Sequence, residues 1–111
     1  MLQVDIISIP NFKLRRVYGM FRSQNFIGTV YEGRFIPEKL IVLRGIVTGA
    51  DRETAFNNIQ TLYNTYASDT QILVYAGVQK NATLGGINII SEKDLVANGY
   101  EIEIEMVWQE E

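Results

Sequence analysis

The sequence predicts an α+β domain that is mostly β: an antiparallel split β-barrel or sandwich with one amphipathic helix, about residues 51–67, packed on it. Apolar residues recur at period two through much of the chain, the pattern of half-buried strands. In a single stretch the spacing changes to three and four, the pattern of a helix with one buried face. The elements also run as several strands, one helix and at least three more strands. Without alternating strand and helix, a doubly wound parallel sheet is not expected.

Residues 2–9 are apolar and β-branched, and Pro10-Asn11 stops them, so residues 1–10 read as a first strand or an extended arm. A second, mixed strand is expected over 12–20, followed by a polar turn at 22–25. Residues 26–36 are rich in aromatic and β-branched types but contain Gly28 and Gly33, which suggests bulges or close backbone approach. Residues 40–47 are dense in Ile, Val and Leu and form a strong strand.

The helix follows. Ala55, Phe56, Ile59, Leu62, Tyr63, Tyr66 and Ala67 fall on one stripe. Its start has two readings. Thr48 and Asp51 have capping-box spacing, or Asp51 is itself the N-cap and accepts from the backbone N–H of Glu53 or Thr54. After the helix a short strand is expected over 71–76, a loop over 77–83, a strand over 84–91 and a linker over 92–98 with a single helical turn. Residues 100–109 are the most regular strand. Tyr100, Ile102, Ile104, Met106 and Trp108 face one way, and Glu101, Glu103, Glu105, Val107 and Gln109 face the other, toward water or a partner.

Composition limits the function classes. At 111 residues the chain fits one domain, 1–111, able to bury a core without a staple. Cysteine and histidine are both absent, which removes thiolate nucleophiles, imidazole bases, disulfides and the usual zinc sites. No phosphate-binding glycine motif occurs. The net charge of −3 argues against specific nucleic-acid binding, although Lys13, Arg15, Arg16 and Arg22 make one basic patch. No apolar run approaches the roughly 20 residues needed to span a bilayer, and no membrane partner is expected. Asp5 and the lack of a basic lead-in do not suit a secretory signal, so a soluble protein working where it is assembled is expected.

Glu101, Glu103 and Glu105 form the one dense carboxylate set. Alternate strand residues lie ~6.5–7 Å apart, a spacing that glycoside hydrolysis can use. That chemistry needs unlike environments for acid and base, whereas a regular open ladder would give all three nearly the same one. A solvated face, or one crossed by Lys13, Arg15, Arg34 or Arg44, is the simpler expectation, and no metal, cofactor or catalytic residue is assigned. In a ring of subunits such a ladder would make an acidic bore that repels passing nucleic acid.

The stretch LIVLRGIVTGADRETAFNNIQTLYNTYAS, then QILVYAG, GINIIS and GYEIEIEMVWQ, resembles the core of tailed-phage tail and baseplate proteins of the tube-like group, namely tail tube, distal tail, tube-initiator and baseplate hub types. The similarity lies in a strand ending in a G-x-x-x-G turn, one four-turn helix, a short strand, a G-I/V-x-I/V strand and a long alternating last strand. It covers about residues 40–109. The resemblance implies a non-catalytic virion structural subunit, assembled in the host cytoplasm, that forms or joins a ring around a DNA channel with copies of itself and neighbouring tail proteins. The chain is short for a distal tail protein. On this reading Glu101, Glu103 and Glu105 are candidate channel-lining residues, and Ile7, Ile9, Phe21 and Phe26 are candidate subunit contacts. Two other readings are a small cellular binding or adaptor module acting as a monomer, and an enzyme with a carboxylate site at Glu103.

Overall fold

The computed structural model describes residues 3–18, 26–28, 40–67 and 69–111. The chain is α+β and mostly β. Its strands are β1 (Gln3–Asp5), β2 (Phe12–Tyr18), β3 (Phe26–Gly28), β4 (Leu40–Gly49), β5 (Gln71–Tyr75), β6 (Val78–Asp94) and β7 (Tyr100–Glu110). One α-helix, α1 (Arg52–Tyr66), lies between β4 and β5. The turn at 22–25 and most of the strand expected over 26–36 fall outside the described residues.

One sheet runs in the order β1-β5-β6-β7-β4-β2, and β3 pairs with β6 at Phe26–Gly28 against Gly86–Asn88. Among the described residues no pairing joins β1 to β2, so the sheet is open. It is also mixed, which corrects the purely antiparallel expectation. β1 pairs with β5 in parallel register, Val4 opposite Leu73. Such a long-range partnership leaves no trace in local periodicity.

The loop expected over 77–83 is also corrected. A two-residue turn at Ala76-Gly77, with φ of 48° and 78°, joins β5 directly to β6. Both residues are left-handed, as in the primed turns whose twist matches that of the flanking strands. β6 therefore spans 17 residues and pairs with β5 through its first part and with β7 through the rest.

Asp51 is the N-cap of α1: its Oδ1 accepts from Thr54 N at 2.8 Å. The capping-box alternative with Thr48 is not used. Thr48 O instead accepts from Asn58 Nδ2 at 2.9 Å, tying the helix to the end of β4. Ala55, Ile59 and Leu62 are buried on the sheet, and Phe56, Tyr63, Tyr66 and Ala67 pack at the margin of the same core. Gly49 lets the helix start close to β4, because a Cβ there would lie 2.8 Å from Ala55 Cα. The even residues of β7 (Ile102, Ile104, Met106 and Trp108) form the centre of the core with Leu43, Val47, Ile87 and Ile89. Burying apolar surface at about 25 cal/mol per Å² makes this layer the main source of stability.

The second sheet face, expected to meet water or a partner, is buried within the chain at its centre. Val42 and Val107 face each other across β4 and β7 and are fully buried, and Asn88 and Glu105 beside them are buried as well. The centre of the sheet is thus covered on both faces, while its margins are exposed.

Candidate interaction surface

The second face of β2, β4, β7 and β6 carries most of the charged side chains singled out from the sequence. Register sets who meets whom. Arg44 stands opposite Glu105, Ile46 opposite Glu103 and Thr48 opposite Glu101 across β4–β7. Asn88, Ser91 and Lys93 of β6 flank the same three glutamates on the other side. Of the basic residues named as partners for the ladder, Arg44 is an immediate neighbour. Lys13 and Arg15 lie one strand further away on β2, and Arg34 falls outside the described residues. Lys93 is a direct cross-strand neighbour of Glu101 that sequence reasoning did not single out. Finding it requires the β6–β7 register.

The three carboxylates occupy three environments. The Glu105 side chain is 3% exposed, and its Oε1 accepts from Arg44 Nη2 at 2.5 Å. Its Oε2 has no hydrogen-bond partner among the described residues. Glu103 is half-buried, with Ser91 Oγ donating to its Oε1 at 3.4 Å. Glu101 is half-buried between Thr48 and Lys93. The even environment expected of a regular ladder is therefore not present, because Glu105 is engaged within the chain.

β2 carries a bulge. Leu14 pairs with Gly45 and Arg16 with Arg44, so Arg15 is an extra residue in the strand. In a regular strand neighbours point to opposite faces. The bulge re-aims one of them, and Arg15 and Arg16 together line an open groove of about 390 Å³ with Arg44, Ile46 and Glu103. Nothing in the residue pattern of β2 announces this bulge.

A second constellation ties α1 to the far end of the β6–β7 hairpin. Arg52 Nε and Tyr100 Oη both donate to Glu92 Oε1, each at 2.7 Å, and the Arg52 guanidinium also lies 4.6 Å from the centre of the Phe56 ring. These two hydrogen bonds hold the Glu92 carboxyl below its ordinary value; the same contact raises Arg52 and Tyr100. Arg52 and Glu92 are exposed and Tyr100 is half-buried against the core, so the cluster is a clasp at the surface.

The candidate contact residues are scattered. Ile7, on the 3-10 turn Ile6–Ser8, is 76% exposed, whereas Ile9 belongs to the core. For Phe26 the backbone pairing with Asn88 is described, and Phe21 lies outside the described residues. A recess of about 270 Å³ lies between this corner and the helix, lined by Ile9, Pro10, Asn11, Leu62 and Tyr66 among others. Among the described residues, no group of three acidic side chains is placed to hold a metal ion, and no helix is long and apolar enough to cross a membrane.

No protein-family model matches the chain, and neither a curated protein nor a solved structure does.

Proposed function

We propose that the chain is a non-catalytic structural subunit of a tailed-phage tail or baseplate, of the tube-like group. It forms or joins a ring with copies of itself and neighbouring tail proteins in the virion. In this reading the open sheet is the greater part of a split β-barrel, with α1 on its outer side. The observation that carries it is the single helix between β4 and β5, packed on an open sheet whose two ends, β1 and β2, are not joined among the described residues. Unjoined strand ends are templates for pairing with another chain, and symmetric assembly is one way to satisfy them. Glu101 and Glu103 remain the candidates for an acidic bore, because Glu105 is neutralised by Arg44.

The recess beside Leu62 and Tyr66 favours a second reading, a monomeric binding or adaptor module that takes an apolar side chain there. Co-expression with the proteins encoded beside it, followed by electron microscopy, separates the two. Rings or tail-like particles containing this chain support the first. A monomer that never enters such particles and binds a single peptide supports the second.

A further inference from the structure

We propose that Val96, at the tip of the β6–β7 hairpin, is a knob that inserts into the recess beside Leu62 and Tyr66 of a second copy of the chain. The contact deepens the ring-forming reading and rests on assembly from copies of the chain, not on that assembly being a tail.

The knob combines strain with exposure. Among the described residues three non-glycine positions take a positive φ, namely Asn11, Ala76 and Val96. Val96, at φ 60°, is the β-branched one, for which this conformation is a true outlier. It is also 89% exposed, so its side chain gains almost nothing from its own chain. Its backbone is nevertheless held firmly. Val96 N donates to Asp94 Oδ1 at 2.8 Å, Leu95 N to Gly99 O at 2.9 Å and Asn98 N to Leu95 O at 3.2 Å. At the root of the tip Gly99 lies against β4, where a Cβ would meet Gly49 O at 2.7 Å. Strain of this kind persists where the surroundings over-determine it, and it gathers at contact and ligand sites. A short aliphatic side chain on a fixed backbone also loses little entropy when it docks.

The recess matches the knob in size and in charge. Its volume of about 270 Å³ has room for an isopropyl group, and its lining, Ile9, Pro10, Thr61, Leu62 and Tyr66 included, carries no charge. Asn57, Gln60 and Asn64, exposed on α1 around Thr61, are uncharged as well. So is the tip from Leu95 to Gly99, in a chain of which 21% of residues are charged. A charged segment would lose its hydration in the recess without meeting a counter-charge. Knob and recess belong to different ends of α1. The hairpin end is tied to the helix start through Arg52 and Glu92, whereas the recess begins at Asn58 and runs to Tyr66. Roughly ten residues of helix, Arg52 to Leu62, rise ~15 Å. Val96 stands outside the recess of its own chain, and a second copy brings the two together. Because unlike patches meet, the contact is heterologous and repeats from copy to copy, closing a ring where the rotation allows.

The test is sedimentation of the intact chain, from micromolar to millimolar concentration, as wild type, Val96→Asn and Thr61→Arg. Asparagine accepts the left-handed conformation, and arginine at exposed Thr61 fills the mouth of the recess. The wild type is expected to self-associate, and each variant to do so at least about tenfold more weakly. Diluted to monomers, Val96→Asn should melt a few degrees above the wild type, because it relieves strain; a purely structural Val96 would give the opposite sign. An equimolar mixture of the two variants holds one sound knob and one sound recess, and should give dimers and nothing larger. A wild type that stays monomeric, a Val96→Asn chain that associates as strongly as the wild type, or a mixture without dimers would overturn the contact. Rings closed by the Val96→Asn chain with the neighbouring tail proteins would also overturn it and leave the structural-subunit reading standing. A wild type that oligomerises through these residues but enters no tail particle would keep the contact and sink that reading.

Discussion

Arg44 and Glu105 face each other across β4 and β7 and form an ion pair at 2.5 Å in the middle of the sheet. The carboxylate is nearly buried, while the guanidinium keeps about a fifth of its surface, 21%. Desolvation and attraction roughly offset each other in such pairs, so the intact pair adds little net stability. It places Glu105 in one position, and a two-residue slip of β7 against β4 would bring Glu103 or Val107 opposite Arg44.

Breaking the pair is expected to cost more than replacing it. Glu105→Ala removes the carboxylate that Arg44 meets across the sheet and should destabilise by ~1–3 kcal/mol, below the full buried-pair penalty because Arg44 keeps 21% of its side-chain surface exposed. Arg44→Met with Glu105→Leu should recover most of that loss. Urea unfolding of the three variants measures both steps.

The second sheet face holds a contrast between its margin and its centre that the sequence pattern alone would misjudge. Glu101→Ala should change stability by less than ~0.5 kcal/mol, as for an ordinary surface position. Val107→Asp, on the same face of the same strand, buries an unpaired carboxylate where exposure is 0% and should prevent folding. Circular dichroism of the two variants is sufficient.

Gly45 is a close-approach position. A Cβ there would lie 2.5 Å from Lys13 O and 2.5 Å from the Phe12 ring. Gly45→Ala should push β2 off β4 and cost ~1–3 kcal/mol. Early hydrogen exchange of the β2 amides would show the displacement directly.

Two carboxylates make stability depend on pH. Thr54 N–H holds Asp51 below its ordinary 3.8, and Arg52 with Tyr100 holds Glu92 below its ordinary 4.5. Both bind protons less readily folded than unfolded, so their contribution is fully present above those values and is lost as pH falls through the lower folded ones. The melting-temperature gap between the wild type and Asp51→Ala with Glu92→Gln should therefore be constant near neutrality. It should begin to shrink as pH falls toward 4.5 and go on shrinking through and below 3.8.

Local pattern announced α1, β4 and the buried even face of β7, because each is written in spacing within one segment; it offered the Asp51 cap as one of two readings of the helix start, and the structure decides for it. What it could not announce depends on chain folding over distance. The parallel β1–β5 pair joins residues about seventy positions apart, Val4 with Leu73. The Ala76-Gly77 turn places an alanine at φ 48°, a conformation its side chain does not advertise. For the same reason the glutamate ladder was legible as a ladder, but its division into one ion-paired and two half-buried carboxylates was not. That division needed the β4–β7 register and a buried second face. The Arg15 bulge gave no signal at all in the residues around it.

The most direct test of the structural-subunit account is the mass of the purified chain by sedimentation, alone and mixed with the tail proteins encoded beside it. The account predicts a symmetric multiple of 12.6 kDa, or a stable complex with one of those proteins. A strict monomer that joins none of them at any concentration would contradict it.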